Sequence, residues 1–418
     1  MNLIFKNATI IDKLSPFNNK VVDIKVEAGI IKQIGENITN DSNFEIVELD
    51  NLHISRGWFD SSVSFGEPGY EDRETITNGL NTAALSGFTN VALQPSGNPV
   101  ADKQADIHFL LGKALNATTN VHPIGALTKG SEGKDIAELF DMKNAGAVAF
   151  GDYNKAITDA NIMKIALQYV QDFDGLVIAY AQDDKIKGKG VVHEGAVSTR
   201  LGLKGIPMLA EELQIARNLF LLEYTGGKMH IPTISTAKSV QIIREAKAKG
   251  LNVTCSVTVH NLLLTDEVLE EFDTRYRVTP PLRSETERKA LIEGVLDGTI
   301  DSITSDHNPI DIENKKMEFD LAKNGTIGLE SAFGALCTVL PLDVVIEKLT
   351  SSKELFQVEN HSITKGNKAS FTLFNPKNSY TFTEKNILSK SKNSAFLGLK
   401  LQGKSYGVYN NEKLTLQQ

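Results

Sequence analysis

A few acidic and imidazole side chains in this sequence could carry out hydrolytic chemistry. Asp306 and His307 are adjacent near the end of one apolar run, and Asp152 follows another. A carboxylate can shuttle a proton, and carboxylates together with imidazoles can hold a divalent metal ion. Since residues from different strands of a barrel converge at one face, His230 and His260 could join Asp306 and Asp152 in a metal site. The alternative is that these four residues have no common function and are separate, hydrogen-bonded side chains.

Two serines and one arginine are further candidates. Ser62 and Ser64 alternate along a predicted strand, so both side chains point to the same face. They could be nucleophiles, but nothing nearby in the sequence supplies the base that such a serine needs. Arg283 could bind an anion such as a carboxylate, or it could form a structural salt bridge.

The elements that must position these residues alternate between strand and helix. The pattern predicts helices over 75–86, 238–249 and 285–296, and strands over 89–93, 148–150, 176–179, 252–257 and 302–304. Alternation over this length is typical of parallel βα units, and about eight such units close most economically as a (β/α)8 barrel.

Both ends of the chain have a different character. The first 55 residues and the tail from residue 363 are rich in short β-type segments. We therefore expect a small β-sandwich formed by residues 1–55 and 363–418, beside an α/β TIM barrel formed by residues 56–362.

Composition narrows the class of protein. The chain has 418 residues, 41% of them hydrophobic, and a net charge of −8 without a long basic run, so neither nucleic acid nor an anionic membrane is an expected partner. Cys255 and Cys337 are far apart in apolar surroundings, as buried reduced thiols are. With no signal-peptide pattern and no run long enough to span a bilayer, the expected location is the cytoplasm.

The segment at 57–69, GWFDSSVSFGEPG, resembles the first-strand signature of the dihydroorotase family of cyclic amidohydrolases. In that family the pattern contains His-x-His, which binds metal, and an Arg that grips the substrate carboxylate. Here Ser62 and Ser64 stand at the two His positions and Gly66 stands at the Arg position. A serine hydroxyl is a poor ligand for zinc, so Ser62 and Ser64 do not replace the two imidazoles as zinc ligands.

Other segments resemble the same family in the same order. The segment at 178–183 places Tyr180 at a metal-binding His, and the segment at 230–236 places Thr233 at another. Residues at 94–100 and 279–283 match substrate-contacting segments, although Ser96 and Thr279 replace the family's Asn residues. The family's catalytic, metal-binding Asp falls at Asp306, and a substrate-side His falls at His307. Arg283 lies in a Pro-Pro-Leu-Arg stretch that matches the family, and Asp152 falls at an acidic neighbour of the metal.

The resemblance implies a dihydroorotase-like protein of pyrimidine biosynthesis with a degenerate site. All four metal-binding imidazoles are replaced, so we expect no bound metal and no turnover, as in inactive family members that are structural partners of aspartate transcarbamoylase. A homodimer is also expected from the resemblance. The alternative is an active dihydroorotase or related cyclic amidohydrolase with altered metal ligands, which would need zinc. A further hypothesis is that Tyr180 fills the old metal space, its hydroxyl bonded to Asp306 or Asp152.

Overall fold

The computed structural model describes residues 1–40 and 44–417. Its strands are β1 (Leu3–Ile11), β2 (Val21–Glu27), β3 (Ile30–Gly35), β4 (Glu45–Val47), β5 (His53–Arg56), β6 (Trp58–Val63), β7 (Phe88–Leu93), β8 (Asn120–Gly125), β9 (Ala149–Phe150), β10 (Val177–Ile178), β11 (Val192–His193), β12 (Gly205–Ile206), β13 (Met229–Ile231), β14 (Val253–Thr258), β15 (Ser302–Thr304), β16 (Phe371–Thr381), β17 (Lys400–Asn410) and β18 (Lys413–Leu416).

The α-helices are α1 (Ile76–Leu85), α2 (Gln104–Lys113), α3 (Leu139–Ala145), α4 (Ala160–Tyr169), α5 (Asp184–Lys187), α6 (Ala196–Leu201), α7 (Leu209–Thr225), α8 (Ala237–Ala248), α9 (Val259–Leu263), α10 (Glu285–Leu296), α11 (Ile312–Lys315), α12 (Leu329–Val339), α13 (Leu342–Thr350) and α14 (Ser352–Leu355). Short 3₁₀ turns occupy several of the connections, among them Val170–Phe173 directly after α4.

Eight parallel strands form the barrel, in the order β6, β7, β8, β9, β10, β13, β14 and β15. The first and last strands meet where the amide of Ser64 donates to the carbonyl of His307 at 2.7 Å, which closes the ring. Every residue of β6 and β7 is buried, as expected when side chains on one face fill the barrel and those on the other pack under helices. The prediction of a (β/α)8 barrel is confirmed.

Helix boundaries follow local capping chemistry. Thr75 accepts a hydrogen bond from the amide of Asn78 at 3.2 Å, and Thr236 accepts from the amide of Ser239 at 3.1 Å. These caps satisfy amides that the first turn of each helix leaves unpaired. They set the starts of α1 and α8, and the helices predicted over 75–86, 238–249 and 285–296 are confirmed within one residue at either end.

The two ends of the chain share one β-sheet. Its order is β18, β17, β16, β5, β1, β2 and β3, with β4 beside β1, and β16 pairs antiparallel with β5 across more than 300 residues of sequence. Phe5, Phe371 and Tyr409 form edge-on ring contacts in a core of its own. Strand β6 follows β5 after a single residue, Gly57, so this small domain fixes where the barrel begins.

One feature of the fold was not predicted from the sequence. A parallel ribbon of β11 and β12 projects between β10 and α7, and it packs on the segment 259–283 through a separate apolar cluster. Within the described residues, the search for a helix with the length and apolarity of a bilayer span found none.

Candidate active site

Asp306 lies at the carboxyl end of β15, where it meets Ser62 from β6. The Ser62 hydroxyl donates to Asp306 Oδ1 at 2.9 Å, and the Gln94 amide donates to the same serine oxygen at 3.1 Å. All three side chains are buried. A serine at this position therefore acts as a hydrogen-bond donor to the aspartate, in a place where the family resemblance implies an imidazole bound to metal.

A second buried carboxylate, Asp60, links the two strands that carry Ser62 and Asp306. It accepts from the hydroxyl of Thr304 at 2.5 Å, from the amide of Ser305 at 3.0 Å and from the amide of Ser62 at 3.1 Å, which ties β6 to β15. Burial raises the pKa of Asp306 to about 7, the Ser62 hydrogen bond opposes that rise and the charge of Asp60 adds to it. Near neutral pH, both the protonated and the ionised form of Asp306 are therefore populated.

Ser64 and Asp152 are also buried, but their side chains have partners other than Asp306. The hydroxyls of Ser64 and Ser96 are 2.6 Å apart. Asp152 accepts from the amides of Leu127 and Thr128 at 2.9 and 3.0 Å, and its other oxygen accepts a short hydrogen bond from the Thr128 hydroxyl. Its carboxylate therefore holds the β8 loop in place.

The hypothesis that Tyr180 satisfies Asp306 or Asp152 is wrong. Its hydroxyl lies 3.0 Å from the Thr279 hydroxyl and 3.5 Å from the side-chain oxygen of Gln182. The two carboxylates already have donors of their own, so neither needs the phenol. Burial raises the pKa of Tyr180, which keeps the phenol neutral and able to donate.

Thr233, His230 and His260 do not form a new metal site. The amide of Thr233 donates to the Ser256 hydroxyl at 3.1 Å, which also lies 3.1 Å from Nε2 of His230, while Nδ1 of His230 contacts Thr254 at 2.9 Å. Burial lowers the pKa of both His230 and His260 to about 3, so both rings are neutral. Across residues 1–40 and 44–417, no three His, Cys, Asp or Glu side chains gather in a way that could hold a metal.

His307 is buried beside the start of α12. Its Nδ1 accepts from the amides of Gly328 at 3.2 Å and Leu329 at 3.4 Å, so Nε2 carries the proton. Burial lowers the pKa of His307 to about 4, which leaves the ring neutral. No hydrogen-bond partner for Nε2 is found in the described part of the chain.

Arg283 is also buried, and its guanidinium has several partners inside the protein. It donates to the Ser235 hydroxyl at 3.1 Å and to the carbonyl of Ile206 at 2.9 Å, contacts His193 Nδ1 at 3.2 Å, and lies 3.9 Å from a carboxylate oxygen of Glu211. These contacts join β12, α7 and the loop after β13. They support the salt-bridge alternative; the substrate-side role of Arg283 stays a prediction.

A polar cavity of about 460 Å³ opens at the carboxyl end of the barrel. Ser64, Asp152 and Tyr153 are among its lining residues, together with Lys155 and Lys323. Tyr153 was missed as a site residue. It holds a left-handed backbone (φ 53°), and its buried hydroxyl is one of those for which the described residues offer no partner. Its position directly after Asp152, at a strand end, is the signal that could have found it.

The donor set at the mouth does not fit a catalytic zinc or a similar divalent metal. Zinc in proteins takes thiolate, imidazole and carboxylate ligands, and the positions that the resemblance assigns to imidazoles carry hydroxyls instead. Those positions are Ser62, Ser64, Tyr180 and Thr233. Asp306, the one retained metal-binding position in the barrel interior, is hydrogen-bonded to Ser62.

Comparison with known proteins gives a consistent family likeness. The family described as Dihydro-orotase-like matches residues 53–239. A protein named dihydroorotase from Pelotomaculum thermopropionicum is 39% identical, covering 100% of this chain and 99% of its own. The dihydroorotase of Geobacter metallireducens is 37% identical, covering 96% of each chain.

Solved structures with the same architecture are more distant in sequence. An L-hydantoinase (dihydropyrimidinase) from Arthrobacter aurescens superimposes with a TM-score of 0.85 at 19% identity, covering 100% of this chain and 98% of that one. A D-hydantoinase (dihydropyrimidinase) from Thermus sp. gives a TM-score of 0.83 at 20% identity, with 99% and 95% covered. At this level of identity the likeness establishes the barrel with its β-sandwich.

Proposed function

Since the chain belongs to the dihydroorotase family, we propose that it serves pyrimidine biosynthesis as a metal-free, non-catalytic member of that family. In this role it is a structural partner of aspartate transcarbamoylase. The amide chemistry of the family needs a metal to generate hydroxide near neutral pH and to polarise the carbonyl. A carboxylic acid alone, such as Asp306, can move a proton but cannot do either task.

One observation carries the proposal: the Ser62 hydroxyl donates a 2.9 Å hydrogen bond to Asp306, at a position where the resemblance implies an imidazole bound to metal. The substrate-side positions have changed as well, with Gly66, Ser96 and Thr279 at positions where the resemblance implies Arg and Asn. A chain that had only changed its metal would keep the groups that recognise the substrate. The loss of both the metal-binding and the substrate-binding side chains supports a role without turnover.

The second candidate is an active dihydroorotase or related cyclic amidohydrolase with altered ligands. The comparisons favour this candidate over the first, because full-length relatives at 37–39% identity are named dihydroorotase. Within the chain it has specific support too. Asp306, Thr233 and Tyr153 hold left-handed backbones with φ of 45–53°, and such strained residues cluster at functional sites. The pKa of Asp306, raised to about 7 by burial, suits a proton shuttle.

Turnover separates the two candidates. The purified chain is assayed in both directions, with dihydroorotate and with carbamoyl aspartate, in the presence of added zinc. The Pelotomaculum thermopropionicum dihydroorotase, assayed beside it, is the matched control for the conditions. We expect no hydrolysis or closure above background. Turnover that is lost in Asp306→Asn would establish the enzyme reading and end the first proposal.

Partnership is tested separately with aspartate transcarbamoylase from the same organism. The two purified proteins are mixed and run by sedimentation velocity, each alone and together. A stoichiometric complex supports the structural role. Independent sedimentation at concentrations of tens of micromolar, together with absent turnover, would remove the partner from the proposal.

A further inference from the structure

A second polar cavity, of about 440 Å³, lies between the barrel and the β-sandwich. Helices α1 and α12 form its wall on the barrel side, and strands β16, β17 and β18 with the connection between β16 and β17 form the other wall. None of its lining residues has a role that the family resemblance assigns to the barrel mouth. Small organic ligands occupy cavities of this size, so the cavity is a candidate binding site.

Two lysines of the β-sandwich line this cavity without a counter-ion. Lys385 lies on the 3₁₀ turn after β16, and Lys404 lies on β17. In the part of the chain that the structure describes, neither ammonium group has a hydrogen bond or an ion pair. Among the described lining residues Glu330 is the single carboxylate, so positive charge is in excess. This balance favours a ligand that carries an anionic group.

Two serine hydroxyls lie at the end of the cavity nearest Lys404. Ser86 caps the end of α1, and its buried hydroxyl has no hydrogen-bond partner among the described residues. Ser405 lies close to it, since a Cβ on Gly87 would be 2.8 Å from Ser405 Oγ. That oxygen accepts from the amide of Gly407 at 3.1 Å, which leaves its proton free to donate. Lysine together with hydroxyl donors is a set that binds the oxygens of a phosphate group.

Glu330 marks the opposite end of the cavity. It lies in the first turn of α12, whereas Ser86 ends α1, and the helices around a barrel run in the same direction. Its Oε1 accepts from the amides of Leu388 and Ser389 at 3.2 and 2.9 Å, but its buried Oε2 has no hydrogen-bond partner in the described chain. Nδ1 of His307, 3.9 Å away, has no proton to donate. A ligand hydroxyl here would supply the missing donor, whereas an anionic group would be repelled.

The phenol of Tyr380 lies between the two ends. A Cβ on Gly334, in the second turn of α12, would be 2.9 Å from Tyr380 Oη, so only glycine lets the phenol approach the helix this closely. Burial raises the pKa of Tyr380 to about 12, so the phenol keeps its proton. Within the described residues that proton has no acceptor. The wall therefore offers a neutral donor, which suits a hydroxyl oxygen of a ligand.

From these positions, we propose that the cavity binds a phosphate monoester of a small polyol, such as a sugar phosphate. The phosphate lies at the end with Lys404 and the two serines, and a ligand hydroxyl donates to Glu330 Oε2. Inorganic phosphate alone would leave Glu330 without a donor. Because both domains line the cavity, the bound ligand joins the barrel to the β-sandwich. The inference is independent of whether the barrel mouth is catalytic.

Isothermal titration calorimetry of the full chain tests the proposal, with glycerol 3-phosphate and glucose 6-phosphate as probes and inorganic phosphate beside them. We expect one or both esters to bind at least about 10-fold more tightly than inorganic phosphate, since only an ester can donate to Glu330. Lys385→Gln/Lys404→Gln should weaken that binding about 100-fold, because two charge-assisted hydrogen bonds are lost. Lys155→Gln, at a lysine that lines the mouth cavity, is the matched control and should bind like the wild type.

Ser86→Ala separates binding from folding. Its hydroxyl has no partner in the described chain, so thermal unfolding of the variant without ligand should match the wild type. Its affinity for the ester should fall about 5-fold, because one neutral hydrogen bond is lost. Glu330→Gln should weaken binding of the ester and leave that of inorganic phosphate undiminished.

Three results would overturn the proposal. The first is the absence of binding of either ester at millimolar concentration, and the second is an equal affinity for inorganic phosphate and the esters. The third is binding that survives the double lysine substitution and is lost in Lys155→Gln, which would place the anion at the barrel mouth.

Discussion

Ser62 occupies the space beside Asp306 that the family resemblance gives to an imidazole, and it changes what the aspartate can do. A metal-bound carboxylate is held ionised by the positive charge next to it. Here the neighbours of Asp306 are a serine hydroxyl and, further away, the carboxylate of Asp60, and burial raises its pKa to about 7. Ionised Asp306 therefore destabilises the folded chain, so the free energy of unfolding should depend on pH.

Replacing Asp306 by Asn should stabilise the chain at pH 8 and have little effect near pH 4. The pKa of Asp306 is above its unfolded value, so folding takes up a proton between about pH 4 and pH 7, and stability falls as pH rises through that window. Three pKa units would correspond to about 4 kcal/mol, which is an upper limit. Urea unfolding of both proteins across pH 4–8 measures the difference. A variant that is less stable at every pH would contradict this view of the site.

Gly66, at the position of the substrate-gripping Arg, cannot simply be reverted. A Cβ at this position would lie 1.9 Å from the carbonyl oxygen of Tyr70, whose amide donates to the Gly66 carbonyl at 2.7 Å. We expect Gly66→Ala to cost about 3 kcal/mol, since backbone atoms must move. Gly35→Ala, where a Cβ meets nothing within 4 Å, is the control and should change little. Equal urea midpoints for the two variants would show that the 66–70 turn is more adaptable than its geometry indicates.

At the scale of elements, the site depends on loops that the barrel strands carry to one end. Arg283 is an example: one guanidinium holds β12, α7 and the loop after β13 together through Ile206, Glu211 and Ser235. Burial lowers the pKa of Arg283, with the nearby glutamates opposing that effect. Removing one partner of a buried ion pair is strongly destabilising, because the other charge stays buried without compensation.

Arg283→Ala should therefore destabilise the chain by about 3–5 kcal/mol, because Glu211 would be left buried without its cation. Arg200→Ala is the matched control. Arg200 pairs with Glu270 at 2.5 Å, but both side chains are more than half exposed, so its loss should cost less than about 1 kcal/mol. Chemical denaturation of the two variants distinguishes them. Near-equal losses would contradict a structural role for Arg283.

Sequence patterns predict the elements of this fold better than the contacts at its site. Helix α10 and strand β15 have the predicted bounds, because amphipathic periodicity and a clear apolar run mark them locally. The bond from Ser62 to Asp306 joins residues 244 positions apart and exists only because the barrel closes. Tyr180 shows the same limit: its position was predicted, but its partner Thr279 comes from a distant loop.

At the scale of the whole molecule, the chain keeps a complete family architecture around a changed centre. The barrel, its β-sandwich and the polar cavity at the mouth are all present, while Ser62, Ser64, Tyr180 and Thr233 place hydroxyls where the resemblance implies metal-binding imidazoles. A fold can be retained for assembly after its chemistry has changed, since function resides in the site and not in the architecture.

The metal content of the untagged chain, purified after growth with added zinc and measured by elemental analysis, tests most directly whether the barrel mouth is metal-free. We expect no stoichiometric zinc or other divalent transition metal, because four hydroxyl positions and one hydrogen-bonded aspartate make a poor ligand set. One or two zinc ions per chain, retained through gel filtration and lost in Asp306→Asn, would contradict it. That result would establish a rebuilt metal centre and an active amidohydrolase.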